Sequence, residues 1–138
     1  MSILFLDTNI ISDMMRDLRG LAATKAKIAS VSRGYEVLYT STIVQCELEY
    51  GLLKKESSRL QSAYVRVMES IEILPVDSSI AADYAKLRTT LERLGTPIGA
   101  NDTLIAAHAL ALGATLVTAD AEFSRVPGLK IENWLQPL

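Results

Sequence analysis

The chain has 138 residues, the length of one domain, and a domain of that size buries roughly 68–70% of its unfolded surface without disulfide or metal staples. Apolar residues make up 49% of it, yet no window reaches the ~20 uninterrupted apolar residues that span a bilayer, and the run ILFL at 3–6 is too short and lacks the positive lead-in of a signal peptide. A net charge of −2 argues against the broadly basic face of an ordinary nucleic-acid binder, so a single cytosolic domain over 1–138 is expected.

Short β-branched runs alternate with longer helical ones. ILFLD (3–7) reads as a first strand, continuously apolar as a buried parallel strand should be. NIISDMMR and LAATKAKIASVSR (21–33) follow as helices. VLYTS (37–41) is a second strand, and TIVQCELEYGLLK is a helix that Thr42 opens, with Gln45 three residues later as a capping box. SRLQSAYVRVMES (58–70) is helical, and IEILPVD (71–77) is a third strand that Pro75 places near a sheet edge. SSIAADYAKLRTTLERLG (78–95) begins with Ser, repeats apolar residues at 80, 84, 87, 91 and 94, and ends at Gly95. After the turn GTPIG, a helix runs from Asp102 to about Leu112 and closes at Gly113. ATLVTAD and LKIENW (129–134) are the fourth and fifth strands. This order predicts an α/β fold of three layers, α/β/α, around a central, mostly parallel sheet of four to five strands.

The stretch IGANDTLIAAHALALGATLVTAD (98–120) is strongly apolar, and its only two charges are Asp102 and Asp120. Buried carboxylates without compensation are costly. Open parallel sheets gather ligands beyond the carboxyl ends of their strands. Asp7 ends the first strand, Asp120 ends the fourth and Asp102 starts a helix. Glu47 shares a helical face with Ile43, Val44 and Gly51, whereas Glu49 lies with Gln45, Cys46, Leu52, Leu53 and Glu56. Four acids, Asp7, Glu47, Asp102 and Asp120, can therefore converge at one end of the sheet, where they repel unless a cation sits among them. A lone cysteine, Cys46, and a lone histidine, His108, exclude thiolate and His-rich metal sites. Oxygen ligands point to Mg²⁺ or Mn²⁺. With those four acids sequestered, the remaining charges count fourteen basic against twelve acidic, and the surface is mildly positive.

Taken singly, each acid also has an ordinary structural role: Asp7 and Asp102 as helix caps, Asp120 as the cap of the next turn, Glu47 as a surface residue. His108 lies six positions past Asp102 and is read as packing or surface. Lys54, Lys55, Arg59 and Arg66 read as a solvated helical face, Arg16 and Arg19 as candidates for phosphate contact, and Trp134 and Tyr50 as core or interface.

Four marks, FLDTNIIS, CELEYG, PIGANDTLIAAHALALGATLVTAD and EFSRVPGLKIENW, resemble in order and spacing the PIN-domain ribonucleases, in particular the VapC-type toxins of bacterial toxin–antitoxin pairs. The resemblance covers nearly the whole chain. It implies Asp7, Glu47, Asp102 and Asp120 as the catalytic, metal-binding acids. Many of those toxins carry NNTREF where this chain has ADAEF, so Asp120 and Glu122 compete for the fourth position; Asp120 is preferred because it ends the strand. The implied mechanism has metal on Asp7 and Asp102 binding the scissile phosphate and activating water. Glu47 and Asp120 would hold a second metal or its waters, while Thr8, Asn9 and Thr118 would orient water or phosphate. It also implies structured RNA as substrate, an antitoxin whose tail occupies the acidic cleft, and a homodimer; Leu52 and Leu53 suggest that the Glu49 side meets one of these protein partners. The alternatives are an aspartyl-phosphate phosphatase, which needs an acid where this chain has Asn9, a phospho-acceptor receiver domain, which needs paired acids and a later Lys, and a non-catalytic α/β binding module.

Overall fold

The computed structural model describes residues 3–32 and 38–136. In chain order the elements are β1 (Leu4–Leu6), α1 (Thr8–Arg16), α2 (Leu21–Ser32), β2 (Leu38–Ser41), α3 (Thr42–Lys55), α4 (Ser58–Met68), β3 (Ile71–Leu74), α5 (Ala81–Arg93), α6 (Ala100–Ala111), β4 (Thr115–Val117) and β5 (Lys130–Glu132). Single turns of 3-10 helix lie at Ser78–Ile80 and Ala121–Arg125. Val37 of the expected second strand and Arg33 of the expected second helix lie outside the described residues.

All five strands are parallel, in the order β3-β2-β1-β4-β5. The first strand is thus central, and Leu4, Phe5 and Leu6 are buried on both faces, each stabilising the fold by about 1.5–3 kcal/mol relative to exposure. The strand carrying the residue before Pro75 is an edge strand, as the proline requires. Helices α1, α2 and α4 pack together, as do α5 and α6, and α3 meets both α1 and α6, giving three layers.

Local chemistry sets the helix ends. Ser41, not Thr42, caps α3: its hydroxyl accepts from the Val44 N–H at 3.1 Å, so the Thr42–Gln45 box does not form. Asp77, not Ser78, caps the turn before α5, accepting from the Ser79 N–H. The helix carrying Asp102 starts two residues earlier than expected, with Gly99 as its N-cap. Gly95 and Gly113 end α5 and α6 at φ +72° and +64°. Each donates three residues back while the next residue donates five back, Thr96 to Leu91 and Ala114 to Ala109, the arrangement that needs a left-handed residue after the helix. In α3 the buried stripe is Val44, Leu48 and Leu52. Leu52 therefore belongs to the core and not to the exposed Glu49 side. Trp134 is core, whereas Tyr50 and Leu53 are 67% and 80% exposed. His108 is buried edge-on against Phe5, ring centroids 5.1 Å apart, as a packing residue.

Candidate functional site

At the carboxyl ends of β1 and β4 the acids take up two different environments. Asp7 follows β1 directly and caps α1, its Oδ1 accepting from the Thr8 N–H at 2.8 Å. Its Oδ2 accepts from the Thr118 hydroxyl at 2.8 Å and from the Asn9 amide at 3.2 Å. Only 4% of Asp7 is exposed, and burial raises its pKa against the opposing pull of those donors. Asn9 is fixed in turn: its Oδ1 accepts from the Ala119 N–H, and its amide also reaches Thr118. The first acid is thus anchored by groups from α1 and from the segment after β4.

Glu47, half-buried on α3, accepts from the Thr8 hydroxyl at 3.0 Å. Burial, with the charge of Asp7 adding to it, raises its pKa. Glu49 is exposed and accepts from the Tyr64 hydroxyl on α4 at 3.2 Å. The two glutamates therefore face different ways, as about 200° of helical rotation demands.

Asp102 is the third residue of α6, in the first turn where the helix N-terminus favours a negative charge. Even so, its pKa is pushed up to about 6, first by burial and then by the charges of Asp7, Asp120, Glu47 and Glu122. No hydrogen bond among the described residues offsets this. Carboxylate oxygens of Asp102, Asp120 and Glu122 all lie within 4.8 Å of one another. Asp120 lies three residues beyond β4 and caps the 3-10 turn, accepting from the Glu122 N–H at 2.9 Å. Its own N–H donates to Thr118. Asp120 thus does not end the strand, and the turn it caps brings Glu122 round beside it. Asp120 and Glu122 sit together at this corner, so the two candidates for the fourth position are neighbours; the 3-10 turn that joins them has no glycine or proline in ADAEF to announce it.

A set made of carboxylate oxygens, with charges that repel and no counter-ion for Asp102 among the described residues, fits a hard divalent cation. Asp102, Asp120 and Glu122 are close enough to share one, and Asp7 and Glu47 are near enough to raise the Asp102 pKa by their charge. Thr8, Asn9 and Thr118 already hold Asp7 and Glu47 in place.

Residues 4–129 match the PIN domain family. Ribonuclease VapC2 of Rickettsia felis is 45% identical over 96 residues, 68% of this chain and 72% of that one. The tRNA(fMet)-specific endonuclease VapC of Salmonella typhimurium is 38% identical over 96 residues, 68% of this chain and 73% of that one. Among solved structures, VapBC2 from Rickettsia felis bound to a DNA fragment from their promoter superposes with a TM-score of 0.87 at 35% identity, covering 96% of this chain and 98% of that one.

Proposed function

The chain belongs to the PIN-domain family and is a VapC-type ribonuclease, the toxin of a type II toxin–antitoxin pair, and on that premise we propose that it cuts structured RNA at the acidic end of its sheet with the help of Mg²⁺ or Mn²⁺. The observation that carries this is the convergence of five carboxylates on the side where Asp102 is pushed up to about 6. We assign Asp7, Glu47, Asp102 and Asp120 as the catalytic, metal-holding acids, and Glu122 as a further ligand beside Asp120.

When bound, the cation supplies positive charge that lowers the pKa of a water and offsets charge building on the scissile phosphate and the leaving oxygen. The protein supplies position. Thr118 and Asn9 fix Asp7 Oδ2, and Thr8 fixes Glu47 Oε1, so neither acid must reorganise during the reaction. No histidine takes part, since His108 is packed against Phe5 in the core. Asn9, an amide donor to Asp7, occupies the position at which a phosphatase would place its acid.

Because one relative is named a tRNA(fMet)-specific endonuclease, tRNA is the RNA to try first. The chain is proposed to act in the cytoplasm as a homodimer, held silent by an antitoxin; exposed Tyr50, Leu53 and Leu94 are the apolar side chains that such protein contacts would cover. Among the described residues no helix is long and apolar enough to cross a membrane. The deciding experiment incubates the purified chain with bulk tRNA and total RNA in Mn²⁺, Mg²⁺ or EDTA and sequences the new ends. Discrete internal cuts that need metal are expected; intact RNA under both metals would overturn the proposal.

A further inference from the structure

A narrow groove leaves the acidic site between α1 and α3. Its two walls carry residues at four-residue spacing, which stacks them along one line of a helix. On α1 the line runs Thr8, Ser12, Arg16. On α3 it runs Glu47, Gly51, Lys55. The lines start level, because the Thr8 hydroxyl donates to Glu47, and both helices leave neighbouring parallel strands at the same sheet end. Further along, Ser12, Arg16, Glu47, Gly51 and Lys55 line a shared cleft of about 60 Å³.

The floor of this cleft is apolar, formed by Met15, Leu48, Leu52 and Leu60 of α4, and its end away from Glu47 has the character suited to a polyanion. Next to Glu47 stands Gly51, inside a helix, where a Cβ would meet nothing within 4 Å. Packing therefore does not demand the missing side chain; what its absence gives is an open channel. Beyond it are two cations. Lys55 is exposed and pairs with no carboxylate among the described residues. Arg16 is 53% exposed and only loosely paired with Asp13, at 3.9 Å, an ion pair weak enough to be given up to a stronger anion. Eight residues of helix place these cations about 12 Å from the Thr8–Glu47 contact. That reach is long enough to meet a phosphate neighbouring the scissile one along the same strand.

We propose that the groove between α1 and α3 carries the RNA strand that flanks the scissile bond, with Gly51 leaving room for its backbone and Arg16 and Lys55 holding a phosphate at its far end. This rests on the ribonuclease function and adds a path for the substrate away from the acids. Lys55, which in the sequence looks like part of a solvated face, becomes a positioning residue along with Arg16.

The test measures binding of fluorescently labelled bulk tRNA to the full chain in an Asp7→Asn background that leaves RNA intact, with cleavage by the wild type in Mn²⁺ assayed in parallel. Arg16→Gln combined with Lys55→Gln is expected to weaken binding about tenfold and to flatten the dependence of log Kd on log salt by about 0.7, the contribution of the one phosphate they share on a single strand. Gly51→Leu fills the channel and is expected to weaken binding severalfold while the melting temperature stays level or rises, since leucine is the better helix former. Binding within twofold of the parent in both variants, while the wild type cuts RNA, would overturn the groove and leave the ribonuclease standing. So would intact RNA binding with loss of antitoxin capture, which would assign the groove to a protein partner. Failure of the wild type to cut RNA would instead remove the function on which the groove rests.

Discussion

Asp7 and Asp102 stand at the same end of one sheet, yet the protein treats them in opposite ways. Asp7 is almost fully buried and receives three donors, from the Thr8 backbone, Asn9 and Thr118. Asp102 is half-buried among four other acids and is offered no donor by the described residues. The folded chain satisfies the first carboxylate by itself and leaves the second without a donor beside Asp120, which accepts from the Glu122 N–H, and Glu122, which has only the exposed Arg125 at 3.9 Å. On the proposed function, the first half sets the geometry, and the uncompensated half, centred on Asp102, is the one that a cation would complete.

Removing an acid from the uncompensated half should give the largest effect and the sharpest contrast. Asp102→Ala is expected to cut RNA cleavage by about a hundredfold to a thousandfold, the scale of losing one pre-placed electrostatic group. The metal-free melting temperature should stay level or rise, because repulsion is relieved and Gly99, not Asp102, is the cap of α6. A drop in melting temperature with cleavage retained would reverse the comparison.

Glu47 and Glu49 test the same boundary on one helix. Glu47→Gln should impair metal-dependent cleavage severely, whereas Glu49→Gln, which loses a charge but keeps an oxygen to accept the exposed bond from Tyr64, should stay within a few-fold. Equal losses in steady-state assays would mean that the helix face has been misassigned.

Thr118 joins the two halves, since its hydroxyl donates to Asp7 and accepts from the Asp120 N–H. Thr118→Val should weaken metal binding about 10–100-fold, as loss of a ligand's support does. The buried carboxylate it leaves short of a donor should cost about 1–3 kcal/mol in denaturant unfolding. Unchanged Mn²⁺ affinity would show that the halves are independent.

The smallest effect is the pH dependence of stability. Asp102 is raised from 3.8 to about 6, so between those values the folded state binds more protons than the unfolded one. Without metal, stability should therefore fall as pH rises through that window; the raised Asp7 and Glu47 act in the same direction. In EDTA the melting temperature should decline from pH 4 to pH 7, and Asp102→Asn should flatten that decline. Millimolar Mn²⁺ should raise the melting temperature more at pH 7 than at pH 5, since binding favours only the folded site. An equal shift at both pH values would argue that the ion binds elsewhere.

The large pattern was legible because it is set by composition. Continuous apolar strands alternating with amphipathic helices can hardly fold otherwise than as a covered parallel sheet, and Pro75 marked the edge. Glu47 was set apart from Glu49 by rotation around one helix and, chiefly, by the resemblance of CELEYG to the toxins. Local details were harder. Ser41 and Thr42 are equally good caps in sequence, and the choice falls to the residue that is still extended at the end of β2. Asp102 resembles a cap, but the α6 backbone begins its helix at Ala100 once Gly99 supplies the extended residue. Leu52 and Leu53 look alike in sequence; only the register of α3 on the core buries one and exposes the other. That Glu122 stands beside Asp120 depends on a 3-10 turn of five residues, which leaves no periodic trace.

The central position of the first strand has a consequence for when the enzyme comes into being. Asp7 and Thr118 are 111 positions apart, and β1 pairs on one side with β4 (Leu4 to Thr115, Phe5 to Leu116, Leu6 to Val117). During translation the amino-terminal half can lay β1 against β2 with Asp7 and Glu47 in hand, but one edge of β1 stays bare until β4 has been synthesised. A ribosome stalled or cut short before residue 102 thus releases a fragment with two of the acids and an open strand edge prone to aggregate, which on the proposed assignment lacks the rest of the site. The sheet that carries the acids is complete only after the segment from α6 through β4 has closed it.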